Sequence, residues 1–118
     1  MQCYFKMPIM KRLIVLDTET TGIRPEEGHR IIEVGAVQIL NREITSTEFH
    51  KYVQPNRPVG DSVNIHGITD KFLINKPQFD KISDDLLSFI EGATLIIHNA
   101  PFDLGFLDNE LKINGISK

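Results

Sequence analysis

The sequence predicts a single α/β domain in which helices pack on one small sheet. Residues 13–16 and 31–40 are apolar and rich in β-branched side chains, which is typical of strands buried within a sheet. Between residues 78 and 90 the apolar side chains instead recur at helical spacing, and residues 94–98 then have the composition of another short buried strand. Because a helix that joins two strands of one sheet forms a crossover, we expect 94–98 to lie parallel to a neighbour, most simply the first strand.

The remaining segments predict a meander and further short helices. Residues 43–54 mix polar and apolar side chains, which favours a more exposed strand joined to 31–40 by a tight turn at Asn41 and Arg42. The first three strands would then form an antiparallel meander. The other predicted elements are a loop at 23–29, a short helix at 62–65, a turn capped by Thr69, a helix stop at Gly92, and a final helix that starts at Asn99, has Pro101 in its first turn and ends at Asn114 and Gly115.

The composition is that of an ordinary globular domain. The chain is 41% hydrophobic and 25% charged, and its net charge of −3 gives no bulk electrostatic reason for tight binding to duplex nucleic acid. No segment approaches the roughly 18 consecutive apolar residues of a membrane-spanning helix, and the single cysteine, Cys3, cannot form an internal disulfide. We therefore expect a cytoplasmic protein without membrane association, in which residues 1–10 are a leader and 11–118 the domain.

Two acidic residues follow the first apolar run. Asp17 and Glu19 are two positions apart, so both side chains leave the same side of the backbone if the extended conformation continues through Thr18. Carboxylates held at a rigid strand terminus are suitable ligands for hard cations such as Mg²⁺ or Mn²⁺. An isolated pair of this kind is more often a solvated strand end, so the spacing does not by itself decide between the two interpretations.

A third acid is expected close to this pair. Asp103 falls in the first turn of the final helix, just beyond the strand that is predicted to lie beside the first one. Three neighbouring carboxylates repel one another unless a cation compensates them, and this arrangement favours a metal site. The alternative is that Asp103 only interacts with the positive end of the helix dipole.

Three motifs carry a resemblance to a known family. The segments DTETTG at 17–22, IHGIT at 65–69 and HNAPFDLGFL at 98–107 resemble motifs of the DnaQ-like (DEDD) 3′-5′ exonucleases, and especially of the proofreading subunits of bacterial replicative polymerases. The likeness runs from about Lys11 to the end of the sequence. It implies a ribonuclease H-like exonuclease fold, present here in truncated form as the meander, the parallel strand and the helices packed on the sheet.

The resemblance also implies roles for individual residues. Asp17, Glu19 and Asp103 would be the catalytic acids and would bind two Mg²⁺ or Mn²⁺ ions, which promote hydrolysis to 5′-mononucleotides. DNA 3′ ends would be the substrate, and polymerase and accessory subunits would be the partners. The residues implied in substrate binding are Thr18, Thr20, Thr21, His66, Asn99 and Phe102. Phe102 equally fits the apolar face of its helix, so core packing remains an alternative for it.

One part of the family pattern has no counterpart in these 118 residues. The third motif of the family supplies a catalytic histidine and a fourth acid, and none of His29, His50, His66 and His98 stands in such a context. The histidine of HNAPFD has the right spacing to Asp103, but the same residues already match the second motif. Two alternatives therefore stay open: an RNA-trimming exonuclease of the same family, and a catalytically incomplete fragment that acts as a binding module.

Overall fold

The computed structural model describes residues 11–116, which form a four-stranded sheet and four α-helices. The predicted leader at 1–10 lies outside the described residues. The strands occur in the order β3-β2-β1-β4 across the sheet. The strands are β1 (Arg12–Thr20), β2 (Ile31–Leu40), β3 (Glu43–Tyr52) and β4 (Thr94–Ile96), and the helices are α1 (Val63–His66), α2 (Asp70–Leu73), α3 (Ser83–Ile90) and α4 (Ala100–Ile113). Short 3-10 helices lie at Pro25–Glu27, Gly60–Ser62 and Phe79–Lys81.

The predicted meander is confirmed. β1 pairs antiparallel with β2, and β2 pairs antiparallel with β3. Asn41 and Arg42 both have positive φ, 53° and 71°, which is the conformation of the two-residue hairpin turns whose twist matches the flanking strands. The β1–β2 register shifts between Glu19 and Thr20, so the ladder is irregular where the acidic residues lie.

The parallel strand is also confirmed, although it is shorter and more exposed than predicted. β4 pairs with β1 from Leu13↔Thr94 to Val15↔Ile96, so the prediction that the strand continues to His98 is wrong. Only Leu95 turns toward the core, whereas Ile96 is 43% exposed. The prediction that this strand is buried is therefore wrong. Within residues 11–116, β4 pairs with β1 alone and lies at the edge of the sheet, so part of it is exposed.

The main core lies between one face of the sheet and helices α3 and α4. Alternate residues of β1, Ile14 and Leu16, are buried in it, as the two-residue period of a strand requires. A second, smaller cluster lies under α1 and α2. The main core also includes Val34, Ala36, Phe49, Phe79, Ile82, Leu86, Phe106, Leu107 and Leu111, and the second cluster is Ile32, Val59, Ile68 and Leu73.

Several helix boundaries differ from the predictions. The predicted helix at 78–90 is interrupted at Ile82 (φ −113°, ψ −9°), which separates a 3-10 helix from α3. The Thr69 cap is confirmed, since its hydroxyl accepts a hydrogen bond from the Phe72 amide. Asn99 occupies the N-cap position of α4, but its side chain makes no capping hydrogen bond. Within residues 11–116 no helix is long and apolar enough to cross a bilayer.

Candidate active site

The acid pair lies within strand β1 and not after it. The extended conformation continues to Thr20, so the side chains of Asp17 and Glu19 share one face of the strand, opposite the buried Leu16. Asp17 is exposed and Glu19 is half-buried. Burial and the neighbouring charge of Asp17 raise the pKa of Glu19 above its usual value, and Glu33, its cross-strand partner, adds to the shift. Negative charge is therefore concentrated at this face of the sheet.

Asp103 approaches strand β1 from helix α4. It lies in the first turn of α4, is only 4% exposed, and accepts a hydrogen bond from the Thr18 hydroxyl. Burial raises the pKa of Asp103, the hydrogen bond from Thr18 opposes this shift, and the charge of Asp17 adds to it. Asp103 accepts hydrogen bonds from both the hydroxyl and the backbone amide of Thr18, so its carboxylate lies beside β1 next to the acid pair, and its charge and that of Asp17 influence each other.

A surface cleft of about 590 Å³ begins at the end of β1. One wall comes from β1 and the loop that follows it, and another comes from the segment 57–66. Asp17, Asp103 and Asn99 do not line this cleft. The residues from the predicted site that do line it are Thr18, Glu19, Thr20, Thr21, His66 and Phe102.

The hydroxyls of Thr20 and Thr21, at the end of β1, form hydrogen bonds within the chain. The Thr20 hydroxyl donates to the Gly22 carbonyl at 2.6 Å. The Thr21 hydroxyl oxygen accepts from the Arg30 amide at 3.0 Å and lies 2.9 Å from His29 Nδ1. Both threonines are buried. They therefore shape the loop that forms the cleft wall, and their predicted contacts with a nucleotide remain a prediction.

His66 is held by both of its ring nitrogens. Nδ1 accepts from the Ile68 amide at 2.9 Å. The Ser62 hydroxyl donates to the Val59 carbonyl at 2.6 Å, so its oxygen accepts from Nε2–H at 2.9 Å. This network assigns the proton to Nε2. Because both nitrogens are used, any contact of His66 with a ligand in the cleft would be made by the ring face.

Phe102 both packs against a core residue and lines the cleft. Its ring is half-buried and packs against Phe106, with the ring centroids 4.9 Å apart. The same residue lines the cleft. Core packing is thus observed for Phe102, and a contact with substrate remains a prediction.

Several cleft residues were missed by sequence reasoning. Ile23 and Ile65 line the cleft and are 78% and 85% exposed. Arg57 also lines it, from a loop with no recognisable motif. A side chain at Gly22 would place its Cβ 2.4 Å from the His29 ring, so only glycine allows this close contact. Loop residues of this kind carry no periodic signal by which the sequence could have indicated them.

A buried ion pair fixes helix α4, and it was also missed. Glu110 is 1% exposed and accepts from Arg30 Nε at 2.9 Å and from Arg30 Nη2 at 2.8 Å. Its carboxylate also accepts from the Ile31 amide at 3.0 Å. The hydrogen bonds with Glu110 raise the pKa of Arg30. This contact ties the helix that carries Asp103 to the start of β2.

The carboxylates fit a divalent cation chemically, although the described residues do not form a complete cage. Carboxylate oxygens are the ligands that Mg²⁺ and Mn²⁺ prefer, and burial together with the neighbouring charge of Asp17 raises the pKa of Glu19. Within residues 11–116, however, no three His, Cys, Asp or Glu side chains are grouped closely enough to hold a metal ion. Asp17 and Glu19 are therefore candidates for a partial ligand set.

The sequence was compared with known protein families. The family model RNase_T, described as an exonuclease, matches residues 14–117. The chain belongs to the RNase_T exonuclease family. Exonucleases of this DEDD class are generally dependent on divalent metal ions.

Curated relatives of this chain carry the name DNA polymerase III subunit epsilon. The protein of Pasteurella multocida (strain Pm70) is 53% identical over 106 residues, which are 86% of this chain and 42% of that protein. The protein of Escherichia coli (strain K12) is 49% identical over 107 residues, 86% of this chain and 44% of the relative. The chain thus spans less than half the length of these relatives.

Solved exonuclease structures share the fold. Exonuclease X in complex with 5′ overhanging duplex DNA has a TM-score of 0.63 at 28% identity, over 80% of this chain and 52% of that one. Product-bound exonuclease I has a TM-score of 0.79 at 20% identity, over 92% of this chain and 27% of that one. The nuclease domain of 3′hExo, a DEDDh family member bound to rAMP, has a TM-score of 0.76 at 20% identity, over 93% of this chain and 62% of that one. The predicted ribonuclease H-like fold is confirmed.

Proposed function

We propose that this chain carries the site of a metal-dependent 3′-5′ exonuclease that removes 3′-terminal nucleotides from DNA as 5′-mononucleotides. The observation that carries the proposal is the position of Asp17 and Glu19 on one face of β1, with Glu19 lining the cleft. The cleft volume of about 590 Å³ is in the range that accommodates a small ligand such as a nucleotide.

The residues of the candidate site would act in metal binding and in nucleotide binding. Asp17 and Glu19 would hold Mg²⁺ or Mn²⁺, with Asp103 supporting the site from beside β1, where it is bonded to Thr18. A divalent cation bound there supplies Lewis-acid activation of the phosphodiester and of water. Ile23, Ile65 and the ring face of His66 line the cleft and would hold the terminal nucleotide by apolar contact and stacking.

The relatives suggest the biological setting. They are named as epsilon subunits of DNA polymerase III, so we propose that this chain acts as a proofreading subunit on frayed or single-stranded 3′ ends. Polymerase and accessory subunits of a replicative core would be its partners, and the cytoplasm its location. The terminal base would enter the cleft only after it leaves its template, since a surface cleft of this size does not admit a duplex.

A second candidate function follows from the incomplete acid cluster. Because no group of three potential ligands forms a metal site within residues 11–116, the described part of the chain is also compatible with a binding module that docks on a polymerase without hydrolysing DNA. The two functions differ in one property. An exonuclease releases nucleotides in a metal-dependent reaction, whereas a binding module does not.

The test is release of mononucleotides from a 3′-labelled single-stranded DNA oligonucleotide, with Mn²⁺ and with chelator. Replacing Asp17→Asn together with Glu19→Gln should lower the rate by about 10²-fold or more, because the charge that holds the cation is lost. The matched control, Asp84→Asn with Glu48→Gln, removes the same charges from exposed positions on α3 and β3 and should leave the rate unchanged.

The possible results separate the candidates. An equal rate in the acid variant and the control would contradict the assignment of the site. Folded chain that co-purifies with polymerase but releases no nucleotide would favour the binding module. A parallel assay with an RNA oligonucleotide of the same sequence distinguishes the DNA enzyme from an RNA-trimming exonuclease, which would prefer the RNA.

A further inference from the structure

Arg57 is an unusual cation in the wall of the cleft. Its Nε atom is buried and has no hydrogen-bond partner within the described chain. Among residues 11–116 its guanidinium also makes no ion pair, in contrast to Arg24, the other arginine that lines the cleft. Since Arg57 lines the cleft and no carboxylate of the described residues lies within ion-pair distance of its guanidinium, its charge is left for a ligand in the cleft.

The loop that carries Arg57 is rigidly held. Asn56 has a positive φ of 57°, and its amide and side chain are bonded to Gln54 at 2.9 Å and to Gln78 at 2.8 Å. Pro58 follows Arg57 and restricts its backbone to extended conformations. The backbone that carries the guanidinium is therefore held before any ligand binds, which lowers the entropic cost of binding.

The neighbouring loop leaves room for the guanidinium. Gly28 has φ +86°, and a Cβ at this position would lie 3.2 Å from Arg57 Nη1. The glycine thus allows the planar group to lie close to the backbone of the facing loop. A guanidinium presents its N–H donors as a fork that matches the oxygens of a phosphate.

The charges in the cleft indicate what Arg57 would bind. Arg24 forms ion pairs with Glu26 at 3.0 Å and with Glu27 at 3.7 Å, so its charge is compensated. Glu19, a proposed cation ligand, and Arg57 line the same cleft. A ligand that contacts both a cation at Glu19 and the guanidinium of Arg57 would carry negative charge at both places, as the phosphates of a nucleic acid strand do.

We propose that Arg57 binds a phosphate of the nucleic acid strand whose 3′ end occupies the cleft. The inference rests on the proposed exonuclease function and adds a phosphate subsite to it. Arg57 acts in binding the strand and takes no part in the hydrolytic step.

The test is binding of a fluorescent single-stranded DNA oligonucleotide by the 118-residue chain in chelator, followed by fluorescence anisotropy at several salt concentrations. Arg57→Gln should weaken binding by about 10- to 100-fold and reduce the slope of log affinity against log salt by about 0.7, the value for one phosphate contact on a single strand. Arg24→Gln is the matched control, because it removes the same charge from the same cleft, and it should change the affinity by less than about threefold.

Each result decides the proposal. Equal losses in the two variants would mean that net charge alone matters and would overturn the role of Arg57, as would unchanged affinity of Arg57→Gln. If thermal melting shows that Arg57→Gln does not fold, Arg57→Lys decides: a severalfold loss of affinity with retained charge supports a bidentate contact, and wild-type affinity overturns it. No binding by the wild-type chain in chelator would overturn this inference alone, because the exonuclease function is tested separately by metal-dependent hydrolysis. Metal-dependent hydrolysis with equal affinities of the two variants would likewise overturn only the inference.

Discussion

Thr18 is the residue that joins strand β1 to helix α4 at the candidate site. Its hydroxyl donates to the carboxylate of Asp103, a residue 85 positions away in the sequence. The carboxylate is buried, and its pKa is raised by this burial and lowered by the hydrogen bond. The Thr18 hydroxyl, together with the backbone amides of Thr18 and Asp103, therefore offsets part of the cost of ionising a buried acid, because these donors replace part of the hydration that burial removes.

Replacing Thr18→Val keeps the shape of the side chain and removes this hydrogen bond. We expect the free energy of unfolding at pH 7 to fall by about 1.5–3 kcal/mol, the usual value of a hydrogen bond to a charged group. The loss should be smaller at pH 4 than at pH 7, because the raised pKa of Asp103 favours its protonated form as the pH falls. Urea unfolding at both pH values measures the difference, and Thr47→Val on the exposed part of β3 is the control. Equal losses at the two pH values would contradict the role of the charge.

At the scale of secondary structure, one ion pair determines how α4 lies against the sheet. Glu110 and Arg30 are 80 positions apart and form two parallel hydrogen bonds in a largely buried environment. The same carboxylate satisfies the backbone amide of Ile31, at the start of β2. The helix is therefore oriented by a polar contact at one end, in addition to the apolar face that packs in the core.

Glu110→Ala leaves the guanidinium of Arg30 and the Ile31 amide without their buried partner. We expect a loss of about 3–5 kcal/mol in the free energy of unfolding, which is a large part of the stability of a small domain. Glu110→Gln retains an acceptor and should lose less. Chemical denaturation measures both variants, and Asp108→Ala, on the exposed face of the same helix, should change stability by less than about 0.5 kcal/mol. Wild-type stability of Glu110→Ala would show that the ion pair does not hold α4.

At the scale of the whole molecule, the fold gathers negative charge where a cation would bind. Burial and the charge of Asp17 raise the pKa of both Glu19 and Asp103. Glu33 lies opposite Glu19 in the register of β1 and β2, and its carboxylate lies 2.5 Å from His50 Nε2. Without metal, these carboxyls are therefore harder to ionise in the folded chain than in the unfolded chain. A bound cation would favour their ionised form and so reverse this effect.

The raised pKa values of Glu19 and Asp103 predict how the stability of the chain in chelator depends on pH. The two carboxyls have folded-state pKa values above their unfolded values, so the stability they contribute is fully present below about pH 4 and is lost as pH rises through the raised folded-state pKa. Glu19→Gln should reduce this loss. Mn²⁺ should raise the melting temperature at pH 7 and have little effect near pH 4. Calorimetry with and without chelator measures these effects, and a Mn²⁺ effect that persists in Asp17→Asn with Glu19→Gln would contradict binding at the acid pair.

The local sequence pattern was sufficient to predict most of the secondary-structure elements. β2 has the predicted bounds because its apolar and β-branched run has no interruption, and the Asn41–Arg42 turn follows from the short polar break after it. The position of β4 beside β1 followed from the crossover rule. The break at Ile82 was not predictable in this way, because the spacing of apolar residues is the same on both sides of it.

From the sequence it was predictable that Asp17 and Glu19 share a face if the strand continues through Thr18, because the side chains of an extended strand alternate with a period of two. That Asp103 lies near them was also predictable, because parallel strands bring their carboxyl ends together. The bond of Asp103 to Thr18, the ion pair of Arg30 with Glu110 and the place of Arg57 in the cleft became visible in the folded chain alone. These contacts depend on how distant segments pack against one another, and packing of this kind leaves no periodic pattern in the sequence.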